Sequence, residues 1–380
     1  MKAIFMLISL LFCLNACTKD NEKEKDTGPE IITEFTDIAL LKQKLLEYAA
    51  IEDVQIRDSI VNHFFDKMKE EEKIPFTKGD SVLFIAYDKT ASSIVWAGDF
   101  NGWKYLPDEW GGAQLGGSGI WTLEKSFPSD ARLDYKLIFN GNNWKLDKHN
   151  KHIQYSGFGP NSELRMPDWI FPEETVLATG VNRGTLSPHI LVSSANLGYD
   201  VQYRVYLPHD HTKYDELPVV YVTDGHEYAD DRLGAMLTVT DNLIHSKKIN
   251  PVILVLIDPR NPNSLSQNRR AEQYRSNPKF LSFVADELVP EIDEKYNTNN
   301  SASGRAILGT SLGGWNSAYF GVNRPDIFGL IWIHSPALDP SIPAAYQNSP
   351  LLPLKIYLST GVIFDTHSNA MILKAIYSEK

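Results

Sequence analysis

Ser311 lies between two glycines in Ala306-Ile-Leu-Gly-Thr-Ser-Leu-Gly-Gly314, and the spacing Gly309-x-Ser311-x-Gly313 suits a serine nucleophile. Such a hydroxyl projects from a sharp turn between strand and helix, and flanking glycines permit the tight backbone and close packing of that turn. The residues before it read as a buried strand and Leu312 to Val322 as a helix, whose N-terminus favours an anionic tetrahedral intermediate. Alone, the pattern occurs by chance. Set between a strand and a helix, it points to acyl transfer through Ser311 rather than to a structural glycine turn. The backbone N–H of Leu312 would be one oxyanion donor. The other is expected from the Asp224-Gly225 turn, hence from Gly225, in the loop Thr223-Asp-Gly-His-Glu227 that follows the strand-like Val219 to Val222. His226 in that loop reads as a packing or substrate-binding residue rather than a catalytic one.

A triad in the chain order serine, acid, histidine needs its carboxylate after a late strand. Leu354 to Leu358 is such a strand, and Gly361-Val-Ile-Phe-Asp365 brings Asp365 to its C-terminal end as the orienting acid. The competing readings of Asp365 are a solvated loop aspartate or the cap of a helix from Ser368 to Tyr377, and Asp339 is the runner-up acid. His367 lies two residues from Asp365, and such close neighbours rarely allow one side chain to reach the serine while the other holds it. His334 reads as a wall of the pocket. The ten histidines include no HExxH or comparable ligand cluster, so a metal hydrolase is disfavoured and no cofactor is expected.

The elements that must position these groups alternate. Val201 to Tyr206, Pro218 to Thr223, Val252 to Ile257, Arg305 to Leu308, Leu330 to Ile333 and Leu354 to Leu358 are strand-like, and helix-like stretches such as Lys279 to Tyr296 interleave them. Near-continuous apolar strands between helices imply a mostly parallel sheet covered on both faces, over residues 176–380. Residues 74–170 differ, with short β-rich runs (Ser81 to Tyr87, Ser93 to Ala97, Trp121 to Lys125, Leu133 to Phe139) between Gly, Asn and Pro turns, the outline of an antiparallel sandwich. Residues 36–73 carry apolar positions at helical spacing, with a break expected at Ile51 to Ile56, and 18–35 read as a charged disordered linker.

Lys2 followed by the apolar run Ile4 to Leu14 has the charge and length of a signal-peptide core, ending in Leu14-Asn-Ala-Cys17. That ending resembles a bacterial lipobox, which implies cleavage before Cys17, a lipid on its sulfur and an exported, membrane-anchored protein at the periplasm or cell surface; an ordinary secretory signal is the alternative. Cys13 and Cys17 are the only cysteines, so a mature chain has no pair for a disulfide, and stability must come from core burial. A hydrophobic content of 43% over 380 residues is enough for a core in each of two domains. The net charge of −11 argues against a nucleic-acid partner.

Two resemblances sharpen these expectations. Trp96-Ala-Gly-Asp-Phe-Asn-Gly-Trp103, with Tyr135-Lys136, Asn140-Gly-Asn-Asn-Trp144 and Asp147, resembles the immunoglobulin-like glycogen-binding modules of carbohydrate-binding module family 48. By that resemblance Trp103, Lys136, Trp144 and Asn161 occupy positions that contact glucose units; the competing reading has the sandwich packing on its neighbour and shaping the entrance of a site. Tyr221-Val-Thr-Asp-Gly225, Arg270-Ala-Glu-Gln-Tyr274, Phe280 to Ile292 and Gly309-Thr-Ser-Leu-Gly-Gly314 resemble the esterase family that includes enterochelin esterases, feruloyl esterases and esterase D. This implies an α/β-hydrolase fold with a mostly parallel sheet, preceded by the all-β immunoglobulin-like sandwich, and Gly157 to Pro167 looks like the segment joining the two. The implied substrates are esters of polysaccharides or siderophores; a carbohydrate-binding lipoprotein without catalysis is the rival. The family places its histidine after one more helix and strand, whereas this chain ends at Lys380, so the expectation is a C-terminally truncated sheet in a fragment or truncated gene product, with an unorthodox histidine or a degenerate relative as alternatives.

Overall fold

The computed structural model describes residues 31–379, so the apolar leader, Cys17 and the charged stretch up to residue 30 lie outside the described residues. Two helices come first, Ile38–Ala49 and Val54–Glu70. Asp37 caps the first through Leu40 N–H, and Asp53 caps the second by accepting from the N–H groups of Gln55 and Ile56. The break is therefore shorter than the expected Ile51 to Ile56, because the Asp53 cap starts the second helix at Val54.

The helices cover one face of the strand Ser81–Tyr87. Its residues Leu83, Ile85 and Tyr87 join Leu41, Leu45, Phe64, Phe65 and Met68, while Val82, Phe84 and Ala86 point the other way into a sandwich core with Trp96, Tyr135 and Leu164. That explains a strand apolar at nearly every position. Two antiparallel sheets make the sandwich. One orders Phe76–Lys78, Ser81–Tyr87, Ile120–Ser126 and Ala113–Gln114; the other orders Ile94–Gly98, Arg132–Phe139, Gly159–Arg165 and Ile153–Ser156, with Asn143–Lys145 beside Arg132–Phe139. The expected joining segment Gly157 to Pro167 is corrected here. It is the turn of a hairpin and then the strand Gly159–Arg165, paired on both sides, with Ser162 and Leu164 fully buried.

From Thr185 onward an eight-stranded sheet carries the second half. Thr185–Leu186 and Ile190–Ser194 pair antiparallel with Tyr199–Leu207, which pairs antiparallel with Ile253–Asp258. The order then runs in parallel through Val219–Val222, Arg305–Thr310, Leu330–His334 and Lys355–Ser359. On one face Tyr221, Val255, Ile307 and Ile331 meet Phe280, Leu288 and Phe320 from the helices; on the other Val222, Leu256 and Leu308 meet Leu237. Both faces being covered, the central strands are continuous apolar runs. The helical stretch expected from Lys279 to Tyr296 runs from Pro278 to Lys295 and widens to a π-helical turn at Phe283–Leu288. Pro290 lies just beyond that turn and has no N–H to give to a carbonyl one turn earlier.

Candidate active site

The strand Arg305–Thr310 ends at the sheet's centre, and the helix Leu312–Asn323 begins one residue later. Ser311 is that residue, with φ +59° and ψ −116°. The conformation is costly for an L-residue and persists because its surroundings enforce it. Ser311 N–H donates to the His334 carbonyl at 3.0 Å, and its own carbonyl accepts from Trp315 and Ala337. The flanking glycines leave no alternative: a Cβ on Gly309 would come within 2.3 Å of Thr223 Oγ1, and one on Gly313 within 2.6 Å of the same atom. Leu312 is the first residue of its helix, and at that position an N–H has no intrahelical acceptor. Among the described residues none hydrogen-bonds the Ser311 hydroxyl.

Ser311 opens into a cleft of about 650 Å³ whose walls include Leu312, Thr310, Arg270, Asp224, Glu227 and Tyr228. Asp224 has a positive φ of 54° and is 3% exposed. Arg270 Nε lies 2.9 Å from each of its carboxylate oxygens, and Arg270 Nη2 donates to the Thr310 carbonyl at 3.0 Å. One guanidinium thus ties the loop after Val219–Val222 to the residue preceding the serine. Tyr274 accepts the Asp224 N–H at 2.9 Å. Burial pushes the Asp224 carboxyl up to about 6 even with Arg270 beside it. Tyr228 and Thr310 share a hydroxyl–hydroxyl bond of 2.6 Å.

The other sequence candidates fall as follows. Gly225 is buried, and its neighbours Asp224 and Glu227 line the cleft. His226 sits with Nδ1 3.5 Å from Asp258 Oδ1, and burial lowers its pKa, which favours the neutral ring. His334 is fixed by a 2.6 Å bond between Nδ1 and Ser359 Oγ, and burial lowers its pKa also. Asp365 does not share the serine's cleft. It faces a separate space of about 480 Å³ between the two halves, with Asp99, Arg132 and Phe364, and next to it Ile363 packs on the sandwich core. Its carboxylate accepts from Ser335 Oγ at 2.7 Å and Gly361 N–H at 2.6 Å. Burial alone would raise its pKa, and these donors hold it below the usual value. No histidine among the described residues is bonded to it. Asp339 is half-buried just before the helix Ser341–Asn348 and accepts from Ser341 N–H.

On the sandwich, register sets Lys136, Ile138 and Trp144 on one face of the sheet. Trp144 is 43% exposed, whereas Asn161 is buried with its amide committed to Asp134, and the Trp103 indole N–H is committed to Asp99. The GDFNGW stretch is an architectural turn, since Asn101 bridges Gly98 N–H and the Trp96 carbonyl and Asp99 accepts Asp134 N–H. Two features escaped sequence reasoning. Arg270 carried no signal of its partner 46 residues earlier, and the hairpin around Gly157, whose residues Tyr155 to Phe158 form one wall of the serine's cleft, had no periodicity to mark it. No group of three or more His, Cys, Asp or Glu able to hold a metal ion occurs among the described residues.

The chain matches the Putative esterase family over residues 194–376. The protein YjcH of Bacillus subtilis is 30% identical over 172 residues, 44% of this chain and 69% of YjcH. An endo-1,4-beta-xylanase/feruloyl esterase of Xylanibacter ruminicola is 28% identical over 225 residues, 56% of this chain and 30% of that protein. The iron(III) enterobactin esterase of Escherichia coli K12 is 26% identical over 117 residues, 31% of this chain and 28% of that enzyme. The match thus spans less than a third of the length of the last two. The solved enterobactin esterase FES of Shigella flexneri superposes with a TM-score of 0.64 at 18% identity, covering 79% of this chain and 84% of the other, and so shares its fold. The chain belongs to the esterase family, a family of carboxylic ester hydrolases.

Proposed function

We propose that the protein hydrolyses carboxylic esters by acyl transfer through Ser311. The observation that carries this reading is the strained backbone of Ser311, held at a strand-to-helix elbow whose residues open into the cleft. In the proposed sequence the serine oxygen attacks the ester carbonyl as a base takes its proton, Leu312 N–H and a donor from the Gly225 loop hold the oxyanion, and the base passes that proton to the departing alcohol. The alcohol leaves, and water then releases the acid. The names of the relatives support feruloyl esters of polysaccharides or siderophore esters as substrates. The test is labelling of the chain with a fluorophosphonate followed by peptide mass spectrometry. A single adduct on Ser311 is expected; an unmodified Ser311 under conditions that label a control serine esterase would overturn the reading.

The rival, carbohydrate binding without catalysis, draws on the exposed ring of Trp144. Glucan binding lost in Trp144→Ala, with no adduct on Ser311, would favour it. We further propose that the protein is exported and held at a membrane by a lipid on Cys17, on the strength of Leu14-Asn-Ala-Cys17. Metabolic labelling with palmitate is expected for the expressed chain and absent from Cys17→Ser; equal labelling of both would refute it.

A further inference from the structure

We propose that Glu227 makes the serine's cleft selective for charge: the esters it takes carry a cationic ammonium group, and anionic esters are turned away. This rests on the reading of Ser311 as the nucleophile and adds to it the charge of the substrate, which that reading leaves open.

Three charged side chains line the cleft, and two of them cancel. Arg270 Nε lies 2.9 Å from each carboxylate oxygen of Asp224, and its Nη2 is committed to the Thr310 carbonyl. Glu227 has no such partner. Its side chain is 38% exposed, and its one ion-pair contact among the described residues is His226, whose Nε2 lies 3.7 Å from Oε1. Burial favours the neutral form of that ring. The cations of the following segments are committed elsewhere, Arg232 to Asp230 at 2.9 Å and Arg260 to Asp258 at 2.6 Å. The cleft that holds Ser311 thus carries one uncompensated negative charge. In a concave space with low-dielectric walls, such a charge concentrates ions of opposite sign and depletes those of its own. The carboxylate is also held in place. Glu227 belongs to the helical turn Gly225–Tyr228, and Gly157 of the sandwich closes on it so nearly that a Cβ there would fall 2.5 Å from Oε1. Phe158, 98% exposed, lines the same cleft, and the face of an aromatic ring attracts an ammonium group and not a carboxylate.

The experiment measures the rate of Ser311 labelling in the full chain, read by peptide mass spectrometry, with three fluorophosphonates of one tail length that end in trimethylammonium, hydroxyl or sulfonate. Each charged probe's rate is divided by that of the hydroxyl probe in the same protein, so a change common to all three cancels. At pH 8 and low salt the parent is expected to react with the ammonium probe about tenfold faster than with the sulfonate, the scale set by one charge near contact range. Glu227→Gln is expected to bring the two within about twofold and Glu227→Asp to keep their order. Raising the salt to about 0.5 M should narrow the parent's preference. Equal rates for the two charged probes in the parent, a preference that salt leaves unchanged, or one that survives Glu227→Gln in full would each overturn the proposal. In all three cases the hydroxyl probe still labels Ser311, and the reading of the nucleophile stands. No label from any probe would instead overturn that reading, and this proposal with it.

Discussion

Ser311→Ala is expected to lower kcat for p-nitrophenyl acetate by about three orders of magnitude or more relative to the unsubstituted chain, with KM little changed. The hydroxyl is the bond-forming atom, so its loss acts on the transition state and not on ground-state binding. Its hydroxyl-bearing neighbour Thr310 is bonded to Tyr228, so it offers no substitute. The substitution leaves the fold intact, because alanine meets the same backbone penalty as serine at φ +59°. Ser311→Gly makes the control: it removes the same atom and relieves the strain, and so should melt above the parent while being equally slow. Steady-state rates equal to the parent's in either variant would mean that hydrolysis proceeds without the serine and would end the proposed mechanism.

Arg270→Ala is expected to cost about 3–5 kcal/mol of stability at pH 8, the usual penalty for stranding one member of a buried ion pair. Asp224 would keep its charge at 3% exposure with no cation against it. The pH dependence has a definite sign. Asp224 titrates at about 6 in the folded chain against 3.8 for an ordinary aspartate, so between about pH 4 and 6 the folded state binds more protons and stability falls as pH rises. Above pH 6 the cost is constant. Removing Arg270 raises the folded pKa further, so the deficit of the variant should shrink at pH 5, where Asp224 accepts a proton. Urea melts at pH 5 and pH 8 read this directly, and Arg270→Ala combined with Asp224→Asn should recover much of the loss at pH 8. A deficit of the same size at both pH values would show that packing, not charge, is what Arg270 supplies.

Much of this was legible in the residues, for physical reasons that differ by element. The central strands of the eight-stranded sheet are buried on both faces, so Val219–Val222, Ile253–Asp258 and Arg305–Thr310 announce themselves as unbroken apolar runs. The elbow was legible because only glycine fits beside Thr223. The outer strands are harder to see: Ile190–Ser194 alternates covered and exposed residues over a short span, with no continuous apolar run to mark it. Gly159–Arg165 hid behind its glycine and proline, Gly159 and Pro160 opening a strand that only tertiary pairing reveals. At the site, the serine follows from local spacing, whereas the Arg270 clamp and the Phe158 hairpin arise from contacts between distant segments, for which a local pattern has no sign. The acid illustrates the limit. Asp365 stands after the expected strand, yet its neighbours Ser335 and Thr360 and the cleft it faces are set by how the loop folds against the sandwich.

The strand Ser81–Tyr87 gives alternate side chains to two separate cores, the helix pair on one side and the sandwich on the other. A seven-residue ribbon thereby becomes a shared wall, and neither tenant can be evicted without exposing the other's apolar surface. The unit that evolution, or an engineer, could transplant to another protein is therefore not the sandwich as a strand count would define it, but the helices and sandwich together, with Ile31 included in their shared packing.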